Sequence, residues 1–124
     1  MIRLMTREFS KWMNKHTLTI ADLSKVLDEV EAGNFEADLG GHVLKKRVKF
    51  QGQGKRGSGR TVICFKKNDR AIFVHGYAKN QKATVSKKEL EAFRRVADIL
   101  LNLTTDQIEN SLRTGTFIEV VDNG

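Results

Sequence analysis

The sequence predicts an α+β domain, an antiparallel twisted sheet of about four strands with helices packed on one face. Three observations lead there. Apolar residues recur at helical spacing near both ends of the chain. In the middle they recur at period two. The middle segments also follow one another with a short second connection, as in an antiparallel meander.

Ile2 and Leu4 alternate and predict a short edge strand. Phe9, Trp12, Met13 and His16 then share one face of a helix over Arg7–Lys15. Thr19-x-x-Asp22 is a capping arrangement, and Ile20, Leu23, Leu27 and Val30 stripe a second helix that ends at Gly33. Across 42–50 the period changes: Leu44, Val48 and Phe50 point one way, Val43, Lys45, Arg47 and Lys49 the other. That strand has one apolar and one basic face. Glycines at 52, 54, 57 and 59 interrupt the pattern before a second strand over 60–66. The turn Lys67-Asn68-Asp69-Arg70 leads into a third strand over 71–77. Ser86-Lys87-Lys88-Glu89 is a capping box opening a helix with Leu90, Phe93, Val96, Ala97, Leu100 and Leu101 inward. A short helix over 106–113, Gly115 and a strand over 117–121 complete the order, with the basic sheet face left available to a ligand.

Charge is sorted along the chain. From Leu39 to Asn68 there are nine Lys/Arg and no acid, and the window 39–88 carries 14 bases against Asp69 alone. The segments on either side are net acidic, so the overall +7 is a local excess in the middle. Such sorting points to a polyanion facing the middle of the chain, and phosphate neutralisation supplies most nucleic-acid affinity. The 124 residues suit a single domain over 1–124. No apolar run approaches the roughly 20 residues that span a bilayer, and no charged-then-apolar leader precedes the first helix. The lone Cys64 cannot form an internal disulfide, so a cytoplasmic location is expected. It lies in an apolar run, as a small buried hydrophobe does. Neither a Cys/His cluster nor an HExxH spacing is present to hold a metal, and no cofactor is expected.

The run QGQGKRGSGR contains GxGxxG, but it is not a strand-to-helix turn, no ribose-binding acid follows, and its GK lacks a following Ser or Thr. A hairpin loop presenting Lys55 and Arg56 to phosphates, or a merely solvated loop, fits it better than a nucleotide site. Arg60 stands where loop becomes strand, so its guanidinium has a fixed origin from which to hold phosphate oxygens. His75, Tyr77 and Lys79 alternate with Gly76 and Ala78 and fall on one face. In a meander, the end of the third strand lies near the start of the second, which brings that row to Arg60. His16 and His42 have no such company and read as surface or packing histidines.

Three motifs together resemble the RelE/HigB superfamily of toxin–antitoxin toxins: Gly40-Gly41-His42-Val43-Leu44-Lys45, the loop and strand start over 52–61, and the strand end over 73–80. The resemblance covers a core of about 6–103, with 104–124 as a C-terminal helix and strand extension. It implies a RelE-like α+β domain that cleaves messenger RNA, usually on the ribosome, without metal or cofactor. It also implies silencing by a cognate antitoxin, expected to be a helix-turn-helix protein. In such cleavage the ribose 2′-OH attacks the adjacent phosphate and expels the 5′-oxygen. A base, an acid and cations are then needed around the phosphate.

Carried over by resemblance, Arg60 would stabilise the charged transition state, and Lys79 would clamp phosphate or donate a proton. His75 or Tyr77 would serve acid–base chemistry or stack on a base. Lys45, Arg47, Lys49, Lys55 and Arg56 would bind RNA, with Lys49 or Lys55 a candidate base. Two departures stand out: Gly59 replaces the aromatic that many relatives place before the arginine, and the last strand offers only Phe117, which cannot donate a proton. Two other readings accompany the nuclease: a non-catalytic ParE-like toxin acting on a protein such as gyrase, and a non-toxic RNA-binding module.

Overall fold

The computed structural model describes residues 1–50, 57–79 and 85–121. Their order is β1 (Ile2–Thr6), α1 (Arg7–Lys15), α2 (Ile20–Glu31), β2 (Ala37–Asp38), β3 (Val43–Lys49), β4 (Ser58–Lys66), β5 (Arg70–Ala78), α3 (Lys87–Leu100), α4 (Thr105–Thr114) and β6 (Phe117–Glu119). Both expected capping boxes form. Thr19 and Asp22 bond reciprocally at the start of α2, and Ser86 and Glu89 at the start of α3. Each such cap stabilises its helix by about 1 kcal/mol.

The α+β class holds, but the sheet is larger than expected. Six strands lie in the order β2-β3-β4-β5-β1-β6. The expected meander is β3-β4-β5, antiparallel throughout. β1 is not an edge strand: it lies parallel to β5, with Ile2 opposite Arg70 and Met5 opposite Phe73, and β6 pairs antiparallel on its other side. Two-residue β2 escaped detection because it is too short to show a period.

Helices also cover both faces of the sheet, not one. On the first face Phe9 and Met13 of α1 and Leu23, Val26, Leu27 and Val30 of α2 pack on Leu44, Val48, Ile63 and Phe73. On the second face Ala97 of α3, Leu101 just after it and Ile108 of α4 pack on Leu4, Val43, Val62, Cys64 and Ile72. The expectation of a wholly open basic face is therefore corrected. Val43 shares that face with Lys45, Arg47 and Lys49, and a buried apolar residue there needs a cover. The helices supply it at the Val43 end, while Arg47 and Lys49 farther along the strand remain exposed.

On the first face, Trp12 lies against two glycines of the sheet. A Cβ on Gly76 would come within 2.3 Å of the indole, and one on Gly59 within 2.6 Å of Phe50 and 3.1 Å of Trp12. An aromatic before Arg60 would have no room, because Trp12 and Phe50 already fill that space. His16 stacks on Phe50 at 4.5 Å, a packing histidine as expected, and His42 is exposed. Cys64 is fully buried, and burial pushes its thiol up to about 12.

Candidate active site

The register of the central strands builds the site. Residues directly opposite in adjacent strands share a face. Arg60 lies between Arg47 on β3 and Tyr77 on β5, and Val62 lies between Lys45 and His75. One step the other way, Ser58 sits opposite Lys49, and its carbonyl accepts from the Lys79 backbone N–H at 3.3 Å. Three successive rows thus carry the predicted residues on one face. β5 has one extra residue: Val62 faces His75 while Ile63 faces Phe73, so Val74 is bulged. Because the bulge precedes His75, the alternation of His75, Tyr77 and Lys79 survives intact.

Within these rows the side chains differ in access. Arg47, Lys49 and Lys79 are exposed, Lys45 and His75 half-buried, and Arg60 and Tyr77 buried at 7% and 6% exposure. Lys55 and Arg56, with the rest of the glycine loop over 51–56, lie outside the described residues. His75 contacts two rings, Tyr77 at 6.1 Å and Phe93 of α3 at 5.3 Å between centroids.

Arg60 faces an acid that sequence reasoning missed. Its Nε donates to both carboxylate oxygens of Glu36, at 2.8 and 3.0 Å, and its Nη1 donates to the Gly59 carbonyl at 3.2 Å. Lys45 Nζ stands 3.8 Å from the same carboxylate. Glu36 arrives from the chain just before β2, where its N–H donates to the Lys45 carbonyl at 2.9 Å. The Glu36 side chain keeps 36% exposure, against 9% for that of Arg60, so solvent meets the carboxylate before the guanidinium. Burial pushes the Tyr77 phenol above its ordinary value; the Glu36 and Glu89 carboxylates push the same way, and Arg60 opposes them. Tyr77 therefore stays protonated at neutral pH and is suited to donate rather than accept. Glu89, from the first turn of α3, is the second acid acting on the phenol; the sequence marked it only as a capping residue.

Other bases of the central cluster hold the fold together. Lys46, buried on the first face, lies 3.6 Å from Glu29 of α2. Arg70 Nη1 donates to the Leu100 and Leu103 carbonyls, at 3.2 and 2.9 Å, fixing the turn between α3 and α4. Among the described residues no group of three or more His, Cys, Asp or Glu could hold a metal ion, and no helix is long and apolar enough to cross a membrane.

No curated protein matches the chain. The family model of the RelE toxin of the RelE/RelB toxin–antitoxin system matches residues 2–120, nearly the whole sequence.

Proposed function

We propose, from the premise that the chain belongs to the RelE family of toxins of toxin–antitoxin systems, that this toxin is a ribosome-dependent mRNA endonuclease. The observation that supports it most directly is the row Arg47–Arg60–Tyr77, flanked on the same face by Lys45, Lys49 and Lys79. It offers cations for several consecutive phosphates and, at its centre, a guanidinium beside a protonated phenol.

In the proposed reaction the 2′-OH gives its proton to a base, for which Lys49 or Lys55 is the candidate, and its oxygen bonds to phosphorus as the bond to the 5′-oxygen breaks. Arg60 holds the non-bridging oxygens as their charge grows, the role in which preorganised donors contribute most. Tyr77 or His75 gives the departing 5′-oxygen its proton. Lys45, Arg47, Lys49 and Lys79 hold the neighbouring phosphates, together with Lys55 and Arg56 of the glycine loop. Glu36 occupies Arg60 in the free chain, so the scissile phosphate binds by taking the place of that carboxylate. The cognate antitoxin, in this reading a helix-turn-helix protein, silences the toxin by denying RNA this face.

The burial of Arg60 and Tyr77 favours a second reading, a ParE-like toxin that acts on a protein target with the arginine serving as a structural ion pair. Incubating the protein with programmed ribosomes and end-labelled mRNA, beside naked mRNA and Arg60→Ala, separates the two. The nuclease reading expects cleavage on the ribosome only, lost in the variant. Intact mRNA with a folded protein overturns it in favour of the protein-target reading.

A further inference from the structure

A cavity of about 400 Å³ opens beside the bulge of β5, lined by Thr6, Arg7 and Glu8 at the start of α1, Val74 and His75, Phe93 and Val96 of α3, and Thr116 and Phe117. None of the residues so far placed on phosphate explains it. Its position follows from topology. β1 accompanies β5 only as far as Met5 opposite Phe73, then turns into α1. The bulge at Val74 falls just where that support ends. The space is left between a helix start, a bulged strand and the aromatic side of α3.

We propose that this cavity receives a nucleobase of the RNA strand whose phosphate is held at Arg60. The inference rests on the RNA reading above and assigns that site a base subsite.

Four features of the lining favour a base. Its walls are aromatic: Phe93 and His75 meet at 5.3 Å, and Phe117 closes one side, the surfaces on which unstacked bases stack. Its rim offers a donor and an acceptor side by side in Arg7 and Glu8, and a base edge carries groups for both. Arg7 is already oriented, since its Nε and Nη2 donate to the Gly115 and Thr114 carbonyls at 3.2 Å each. The cavity is also next to the phosphate row. His75 forms its wall, and the neighbouring Tyr77 ring, 6.1 Å away, lies directly opposite Arg60 in the register.

An added peptide strand fits less well, although β1 no longer accompanies β5 at this point. The chain turns from β1 into α1 here, and Arg7 and Glu8 of that helix line the space an extended chain along β5 would need. A flat, compact group can enter where a strand cannot continue.

The test uses a short 2′-O-methyl oligoribonucleotide, which cannot be cleaved, and a set of copies each carrying one internal abasic site. Affinity is read by fluorescence anisotropy at low salt for the wild type, Thr116→Trp, whose indole fills the cavity from its exposed rim, and Phe93→Leu, which removes the ring but keeps an apolar side chain. One abasic position should weaken wild-type binding about tenfold, the scale of one stacked base. Both variants should bind the intact oligonucleotide about that much more weakly and be indifferent to that abasic position. Thermal melting confirms that each variant is folded. Wild-type binding that ignores every abasic position, or an abasic effect that survives in both folded variants, overturns the base subsite while leaving the RNA reading in place. A wild type that binds no oligonucleotide and leaves ribosomal mRNA intact overturns the RNA reading and the subsite with it.

Discussion

Glu36→Gln is the substitution that most directly tests how Arg60 is used. The change keeps the shape of the side chain and removes its charge. In the free protein that charge sits 2.8 Å from Arg60 Nε and 3.8 Å from Lys45 Nζ, in the place proposed for a phosphate. Two opposite effects follow. Stability should fall, because a guanidinium with 9% side-chain exposure loses its countercharge. Removing one partner of a fully buried pair costs about 3–5 kcal/mol. Glu36 is one-third exposed and the amide oxygen still accepts a bond, so about 1–2 kcal/mol is expected, a few degrees in Tm. RNA affinity should rise. A like charge about 4 Å from a phosphate is worth at most about 4 kcal/mol at an effective dielectric of 20, and exposure and the two flanking cations reduce this to about 1 kcal/mol. The variant should therefore melt lower yet bind a non-cleavable oligoribonucleotide about fivefold more tightly at low salt, with the gain shrinking as salt is added. Anisotropy titrations at two salt concentrations, with melting curves, measure both. A variant that melts lower and binds RNA no more tightly refutes the exchange, and would mean that phosphate does not sit where the carboxylate sits.

Other consequences are open to simpler measurements. Arg60→Ala should reduce the single-turnover cleavage rate by at least about 100-fold, whereas Arg47→Ala should mainly weaken RNA binding and lower its salt slope by about one; equal effects on both quantities would deny Arg60 a special place. Gly76→Ala should destabilise the fold by about 1–3 kcal/mol in urea melts, since its methyl would meet the Trp12 indole, and an unchanged midpoint would mean that Trp12 can move aside freely. His16 titrates below its ordinary value because burial, and then Lys15, disfavour its cation. The unfolded chain thus takes up the proton first, and stability should decline as pH falls from about 6.5 through the lowered value, a slope that should flatten in His16→Gln. Cys64, with its thiol pushed up to about 12, should resist iodoacetamide at pH 8 in the folded protein and react on unfolding; rapid native labelling would contradict its burial.

Much of the architecture was legible because it is written locally. Thr19-x-x-Asp22 and Ser86-x-x-Glu89 each close a bond within four residues, and both boxes form. The alternation of Val43, Lys45, Arg47 and Lys49 against Leu44, Val48 and Phe50 depends only on strand geometry, and so does the row His75, Tyr77, Lys79. The neighbourhood of Arg60 and Tyr77 needed one further assumption, an antiparallel meander, and the register places them directly opposite. The charge pattern was informative but overcounted. Lys46 and Arg70 belong to the same basic run, yet one pairs with Glu29 and the other holds helix carbonyls. A sum of charges cannot tell a cation committed to the fold from one offered to a ligand.

The helices, the strands of the meander and the sharing of faces follow from local sequence, because each depends on neighbours within a few residues. What lies over the basic face was settled by long-range packing. Glu36 meets Arg60 across 24 positions, with no pattern in the intervening chain to announce it. β1 enters between β5 and β6, which sets its first strand beside residues 68 positions later. The second helical layer covers the Val43 end of the basic face because buried apolar residues there require it. These choices rest on closing the whole chain at once, satisfying every buried charge and covering every apolar surface, and no local window contains that balance.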